Sequence, residues 1–347
     1  MARFSHIEER SGVQFYEDCG YLGVAGPRYQ GYNDWCKSSQ TMVQQFGSKM
    51  LTPEAIPAVF PFLQLPSESM ACYEEPGQGA GYLSPRKLVA AQKKIASDQG
   101  CVVVNSLATS LVRLENCWKL QTDGGQDFYS KNIALCQGTY SGLSFLARDL
   151  LPPLDLTFTA QTTALIEVDS EEAERLKTMP SMVTQVSHRN MNISVPVVCI
   201  FQLEPVKYTY ILPPIKYPNG KIYLKFGAHD LDRILTSHAQ VTHHYRIGPD
   251  PAHVTKLAQE AARLIPGLAI KAVVGDSCVT SNTPGKVAPF LDTVLPGLVL
   301  AAGGCGHGAM GSDEMGRVAA TLAIEDRWDC SLPAELCMVR YRNKSYL

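Results

Sequence analysis

The sequence lacks the marks of several large classes of protein. Its 347 residues hold 31 Lys and Arg against 33 Asp and Glu, a formal net charge of -2, with no run rich in Lys or Arg. Nucleic-acid binding is therefore not expected, because it needs a basic surface. No apolar run approaches the ~18 residues of a membrane span, and the run at 294–302 is interrupted by Pro296 and Gly297. The sequence predicts small-molecule partners, no nucleic acid and no membrane span, and it leaves the oligomeric state open.

The 11 cysteines are an odd number and include no CxxC pair, which argues against a disulfide framework or a zinc ribbon. Residues 1–10 lack the apolar stretch of a secretory signal. Both features favour a reducing, cytoplasmic location. The C-terminal Ser345-Tyr-Leu347 only partly resembles the peroxisomal signal Ser-Lys-Leu, so a peroxisomal location has weak support.

Metal and hydrolase motifs are also missing. His238, His243 and His244 are close in sequence, but no carboxylate or Cys stands at ligand spacing, so we expect a solvated loop and no metal. The sequence has no GxSxG elbow, P-loop or HExxH motif. The motifs that usually indicate a hydrolase, an NTPase or a metalloprotease are therefore missing.

The first half of the chain predicts an α/β layer. Ser84 can cap a helix that Gly100 ends, with Leu88, Ala91 and Ile95 on one face. Strands are expected after it at 101–104, 110–114, 118–122 and 132–136. A helix followed by a buried strand, a meander and a return strand is typical of a nucleotide-binding layer.

The middle of the chain has a different character. Runs rich in β-formers are broken by prolines, which predicts a mainly antiparallel sheet in a second domain; these runs are 157–168, 195–203, 207–212 and 221–228. A helix is predicted at Thr255–Leu264 because apolar residues recur there at helical spacing.

Near the C-terminus, an apolar run at 294–302 leads into a glycine-rich turn and a helix predicted from Ser312. A strand, a glycine-rich turn and a helix N-terminus in this order can form a binding site for an anion or a polarised carbonyl. Gly306–Gly311 matches GxGxxG, but no βαβ unit with an acidic residue about 20 positions on follows it. We expect the turn to approach a flat cofactor closely, with a tight packing turn as the alternative.

Gly303-Gly-Cys-Gly-His-Gly308, preceded by an apolar strand, resembles the Gly-Phe-Ser-Gly-His-Gly-like turn of the FAD-dependent amine and amino-acid oxidases in the D-amino-acid oxidase superfamily. The likeness is to the monomeric sarcosine oxidase and pipecolate oxidase branch. Further short motifs recur in that family's order: Leu51–Glu54, Phe60-Pro61, Gly81–Pro85, Gly100–Val104 and Ile133–Gly138.

The resemblance implies an α/β chain in which a Rossmann-like FAD-binding domain is interleaved with a mainly antiparallel substrate domain of α+β character. The implied bounds are 1–18 for a remnant of the FAD-binding domain, 19–80 for the first part of the substrate domain, 81–156 for the FAD-binding domain, 157–279 for the second substrate part, and 280–347 for the C-terminal FAD-binding part.

The resemblance also implies an activity, the FAD-dependent oxidation of a secondary amine or amino acid to an imine, with oxygen as acceptor and hydrogen peroxide as product. Lys225 matches the family's oxygen-activating lysine, His229 a histidine after it, and Tyr210 a tyrosine lining the substrate pocket. Taken alone, Lys225 would be an edge-strand lysine and Cys278 an ordinary buried thiol.

For the cofactor, the resemblance implies a covalent bond between Cys278 and the flavin. It implies that the turn approaches the ring system through Gly303, Gly304, Gly306, His307 and Gly308, and that the adenosine and diphosphate parts lie near Thr109 and Gly138.

Two features depart from the family. Met310 stands where the family has a lysine that grips a substrate carboxylate, and the sequence begins after the family's opening strand, GxGxxG turn and helix. The alternative is therefore a truncated, catalytically silent product without the phosphate loop for FAD, acting at most as a binding or interaction module.

Overall fold

The computed structural model describes residues 2–27, 29, 31–143, 146, 150–185, 208–228 and 233–342. Its α-helices are α1 (Ala2–Ser11), α2 (Tyr32–Phe46), α3 (Ile56–Val59), α4 (Pro85–Asp98), α5 (Ser170–Arg175), α6 (His238–Ile247), α7 (Pro251–Leu264) and α8 (Gly308–Glu325). Among the described residues, no helix combines the length and the apolar character needed to cross a bilayer.

The strands are β1 (Tyr16–Glu17), β2 (Tyr21–Ala25), β3 (Lys49–Leu51), β4 (Met70–Glu74), β5 (Tyr82–Leu83), β6 (Ala108–Arg113), β7 (Trp118–Thr122), β8 (Asp127–Ser130), β9 (Ile133–Leu135), β10 (Thr157–Val168), β11 (Ser181–Gln185), β12 (Thr209–Lys216), β13 (Ile222–Ala228), β14 (Arg233–Leu235), β15 (Ala272–Asn282), β16 (Phe290–Leu295) and β17 (Leu298–Ala302).

A nine-stranded sheet organises most of the chain. It runs from β15 through β10, β13, β12, β11, β2 and β4 to β3, and β14 pairs with the start of β10. All its pairings are antiparallel except β11 with β2. The α/β class and the mainly antiparallel sheet predicted from the sequence are confirmed.

The two faces of this sheet differ because side chains alternate along each strand. Ala164 and Ile166 of β10 and Phe226 of β13 point to one face and join a buried core with Leu257 and Leu264 of α7. Residues one position away point to the opposite face, where polar side chains predominate. Burial of the apolar face fixes the register, because a slip of one residue would exchange the two faces.

A second, three-stranded sheet lies at the C-terminal end of the sequence. β17 pairs antiparallel with β16 and parallel with β9. Leu291 and Val299 of this sheet pack against Val318 and Ala319 of α8. The strand, glycine turn and helix predicted around residues 294–325 are thus present, although α8 begins at Gly308, earlier than the expected Ser312.

Two smaller sheets complete the fold, β6-β7-β8 and β1-β5. The helix predicted after Ser84 is confirmed as α4: the Ser84 hydroxyl accepts a hydrogen bond from the Lys87 amide, and Gly100 has a φ of 86°. α4 packs on α1 through Ile7 and Leu88.

The strand predicted at 101–104 is wrong. These residues form no strand, and Val102 is 85% exposed. A strand is stable only where a neighbour takes its backbone hydrogen bonds and covers its side chains, and no described strand pairs with this segment. β-branched composition alone therefore gave the wrong local structure.

Two further expectations need correction. The three histidines are not in a solvated loop: they lie on α6, and His244 is buried. Pro213 and Pro214 do not end their strand, because β12 accommodates them in an irregularity between Leu212 and Ile215. The predicted run at 157–168 coincides with β10, whereas the run at 195–203 lies outside the described residues.

The turn between β16 and β17 provides a test of backbone strain. Gly297 has a φ of 73°, and a Cβ there would lie 2.4 Å from the carbonyl oxygen of Lys131. We expect Gly297→Ala to lower the free energy of unfolding by about 3 kcal/mol, measured by urea denaturation. Gly220→Ala is the matched control, since its φ is 81° but no atom lies within 4 Å of the new Cβ. It should cost only about 1 kcal/mol, and equal losses would contradict the clash at Gly297.

Candidate active site

A cavity of about 1210 Å³ separates the nine-stranded sheet from α8 and the small C-terminal sheet. Gln161, Tyr210 and Cys278 line it from the large sheet, and the turn at 303–308 lines the opposite wall. We call the sheet face that carries these three side chains the cavity face. Both walls are formed by backbone elements with fixed registers, so the cavity is built into the fold.

The glycine turn leaves no room for side chains. Gly303 and Gly306 have φ values of 80° and 81°, which favour glycine. A Cβ on Gly303 would lie 2.5 Å from Thr283 Cγ2, and one on Gly304 would lie 2.9 Å from Gly308 Cα. Main chain is therefore presented directly to the cavity.

Cys305 also adopts a positive φ, 52°, and is held in place by its thiol. The thiol donates to the Gly303 carbonyl at 3.1 Å, and the sulfur accepts from the Thr283 amide at 3.5 Å. These contacts offset the strain of a non-glycine residue in this conformation.

The turn delivers the N-terminus of α8 to the cavity. His307 occupies the N-cap position, and no side chain caps the helix. Its Nδ1 lies 2.9 Å from the Cys305 carbonyl oxygen, which orients the ring. Gly308, Ser312 and Gly316, one turn apart, line the cavity with small side chains. Unpaired amides and the helix dipole favour negative charge at this end.

Strand register places the polar side chains of the cavity face. Tyr210 on β12 is opposite Gly227 on β13, which is opposite Thr163 on β10, which in turn is opposite Asp276 on β15. Directly opposed residues share a face. A Cβ on Gly227 would lie 2.3 Å from Tyr210 Cζ, so the tyrosine ring lies flat over a glycine.

The same register brings Cys278 and Lys225 to this face. Cys278 is opposite Gln161, and Lys225 is opposite Leu165, which share the face of Thr163 because they lie two residues from it on β10. Tyr210, Lys225 and Cys278, which were predicted from separate parts of the sequence, therefore project from three different strands to one side of the sheet.

His244 supports this face from behind. Its Nε2 lies 3.3 Å from the Gln161 carbonyl oxygen and 3.1 Å from the Cys278 carbonyl oxygen. Both partners are acceptors, so Nε2 carries the proton and donates to both. The contact ties α6 to β10 and β15 at the position of the Cys278 side chain.

The electrostatics of the face set the protonation of two groups. Burial raises the pKa of Tyr210, and the neighbouring Cys278 and Asp276 raise it further, so its phenol is neutral at physiological pH. Cys278 is exposed to the cavity and is not the buried thiol expected from the sequence alone, yet desolvation by the surrounding protein raises the pKa of its thiol; the Lys225 charge lowers this pKa, and Asp276 raises it. Desolvation dominates, and the thiol is protonated near neutrality.

The remaining predicted positions fall at different places. Gly138 and all five predicted residues of the turn line the cavity. Thr109 lies on β6, where its hydroxyl donates to the Gln121 carbonyl at 3.3 Å, and it is not part of the cavity wall. His229 lies outside the described residues. Met310 is 65% exposed.

Sequence reasoning missed three residues that line the cavity, Gln161, Gln185 and Tyr208, and also Asp276, which lies on the same sheet face but is not among the lining residues. Two of them carried a usable signal. Asp276 precedes Cys278 by two residues in a β-prone stretch, and Gln161 interrupts the apolar pattern of β10, so alternation placed each on the polar face. Gln185 and Tyr208 carried no comparable pattern.

Comparison with models of protein families shows the family of this chain. The model described as DAO, FAD-dependent oxidoreductase, matches residues 1–322. The chain belongs to the DAO family of FAD-dependent oxidoreductases. The family implies binding of FAD and action on CH–NH donors.

Solved structures show the same fold at low identity. Glycine oxidase from Geobacillus kaustophilus has a TM-score of 0.70 and 18% identity over 99% of this chain and 80% of its own. NikD, an unusual amino acid oxidase, has a TM-score of 0.69 and 15% identity over 97% of this chain and 80% of its own. L-proline dehydrogenase from P. horikoshii has a TM-score of 0.67 and 16% identity over 96% of this chain and 78% of its own. Among curated proteins, none matches the chain.

The cavity residues fit the ring end of FAD. The four glycines of the turn allow a flat ring to approach the main chain, and the α8 N-terminus favours negative charge beside it. Gly303, Gly304, Gly306 and Gly308 would hold the ring from one side, with Cys278 opposite.

The thiol of Cys278 gives a direct test of the electrostatics. Because the Lys225 charge lowers the pKa of this thiol, Lys225→Met should raise that pKa and reduce the thiolate fraction. In protein prepared without flavin, where the Cys278 thiol is free, we expect its alkylation by iodoacetamide at pH 8 to slow several-fold, as measured by peptide mass spectrometry. Alkylation of the exposed Cys101 is the internal control, and an unchanged ratio between the two rates would show that Lys225 does not act on Cys278.

Proposed function

We propose that the protein oxidises a secondary amine or an amino acid to an imine, with oxygen as acceptor and hydrogen peroxide as product. The observation that carries this proposal is the cavity itself: the glycine turn and the α8 N-terminus form one wall, and the other carries Tyr210 and Cys278 on a face shared with Lys225. Catalysis of this kind needs a ring site and a substrate site in contact.

FAD, when bound, supplies the acceptor for the hydride that leaves the substrate carbon next to nitrogen. The protein's own contribution is position and charge. The turn fixes the ring through main-chain contacts, and the helix N-terminus favours the negative charge that develops there.

Tyr210 and Lys225 would serve different steps. The neutral phenol of Tyr210 can donate a hydrogen bond to the substrate, and its place over Gly227 fixes the ring orientation. Lys225 carries a positive charge on the same face, and a positive charge favours the reduction of oxygen because negative charge develops on the oxygen atoms. His229, which follows the same strand, is proposed from the resemblance alone.

Domain assignment follows the same proposal. We assign 1–18, 81–156 and 280–347 to the FAD-binding domain and 19–80 and 157–279 to the substrate domain. The large sheet draws most of its strands from the second group, and the β16-β17-β9 sheet with α8 draws on the first.

The role of Lys225 can be separated from flavin reduction. In Lys225→Met we expect peroxide formation from a secondary amine to fall about 100-fold, the size of effect seen when one stabilising charge or donor is removed, while reduction of an artificial dye acceptor persists. The matched control is Lys94→Met, which removes a lysine paired with Asp98 on α4. Equal turnover with oxygen in both variants would refute the role of Lys225, and a purified protein with no flavin absorbance and no peroxide would refute the oxidase.

We also propose that Cys278 bonds covalently to the flavin. After acid precipitation, the yellow colour should remain with the wild-type pellet and pass to the supernatant in Cys278→Ser. Cys101→Ser, which changes an exposed thiol outside the cavity, should behave as wild type. Colour in the supernatant of the wild type would show that the cofactor is held without a covalent bond.

A further inference from the structure

Asp276 is an acidic residue on the cavity face to which no role has been assigned. It lies on β15 two residues before Cys278, so both side chains point to the same side of the sheet. It is opposite Thr163, the residue of β10 that is also opposite Gly227 under the Tyr210 ring. Asp276 therefore lies on the same transverse row of the sheet as Tyr210.

Its carboxylate acts on several neighbours from this position. The charge of Asp276 contributes to the raised pKa of Tyr210, of Cys278 and of Tyr217. These groups come from β12, from β15 and from the residue that follows β12. The strand register, which puts Asp276 on the same face as Tyr210 and Cys278, agrees with these electrostatic effects.

That carboxylate is not neutralised within the described part of the chain. The Thr163 hydroxyl lies 3.5 Å from the main-chain oxygen of Asp276, but no described side chain makes a hydrogen bond or ion pair with its carboxylate. Lys225 makes no ion pair with it, although both act on Cys278. The side chain is half-buried, and a partly desolvated carboxylate without a partner is costly.

We propose that Asp276 receives the cationic nitrogen of the substrate and makes this site selective for positively charged amines over neutral compounds of the same shape. This rests on the proposed function, because the substrate is taken to be an amine. A secondary amine is protonated near neutral pH, and the carboxylate stabilises its positive charge by electrostatic attraction, whether or not the nitrogen carries hydrogen atoms. The Tyr210 ring beside the carboxylate adds an aromatic surface that also favours a cation.

Lys225 does not oppose this arrangement. It lies on β13, two strands away from Asp276 across β10, and its register position is displaced by two residues along the strand. The two charges therefore lie on opposite sides of β10, two residues out of register. Arg86, which acts on Tyr217 from α4, is the other cation near this region.

The test compares two probes of nearly equal shape and different charge, choline and 3,3-dimethylbutan-1-ol. Binding to the full chain supplied with FAD is measured by calorimetry. We expect the wild type to bind choline about tenfold more tightly than the neutral alcohol, and Asp276→Asn and Asp276→Ser to bring the ratio near one. Asp276→Glu should retain most of the preference, and Asp34→Asn, which neutralises an exposed carboxylate on α2, should retain all of it.

Either neutral variant that folds, shown by an unchanged circular dichroism spectrum, is sufficient for the test. Absence of choline binding in the wild type, a ratio near one in the wild type, or a preserved ratio in the neutral variants would overturn the proposal. The ratio needs no turnover, so a protein that lacks oxidase activity can still show it. An active oxidase with an unchanged ratio would reject the role of Asp276 alone.

A second readout reports the position of the carboxylate without any ligand. In protein prepared without flavin, removing the charge in Asp276→Asn should increase the rate of Cys278 alkylation by iodoacetamide several-fold relative to Cys101, the opposite of the change expected for Lys225→Met. An unchanged rate would place Asp276 too far from the cavity face to contact a substrate there, and the assignment would fail.

Discussion

The fold depends on β10, because this strand is paired on both edges along nearly its whole length. β15 takes one edge from Thr157 to Glu167, while β14 and then β13 take the other. A strand with both edges satisfied cannot slip without breaking two ladders. The same register assigns Ala164 and Ile166 to the core and Gln161 and Thr163 to the cavity face. Burial of the apolar side chains on one face therefore fixes the positions of the polar side chains on the other.

This constraint explains which parts of the structure the sequence could predict. The bounds of β10 followed from a long run of β-formers, and the turn at 303–308 followed from its glycines, because both patterns report local requirements. The segment at 101–104 has equally strong local preference and forms no strand. Pairing partners are a property of tertiary structure, and no local pattern states whether one is present.

The candidate site shows the same division. Tyr210, Lys225 and Cys278 were expected from a resemblance, and their common face follows from antiparallel pairing that composition does not reveal. Thr109 was expected near the adenosine and diphosphate parts of FAD, away from these three residues, and it lies on the β6-β7-β8 sheet. Gly227 was not singled out at all, since its importance comes from the Tyr210 ring on the neighbouring strand. Residues that matter through a cross-strand contact are identified only once the register is known.

The charges of the cavity face limit how the site can work. Burial and two neighbours keep the phenol of Tyr210 protonated at physiological pH, so Tyr210 can donate a hydrogen bond but cannot act as a base. The Cys278 thiol is likewise protonated near neutrality. Lys225 and Asp276 are then charged groups of this face that act on Cys278, one on each side of β10. The pairing of β13 and β15 with β10 sets the positions of these two charges, so their geometry is fixed before any ligand arrives.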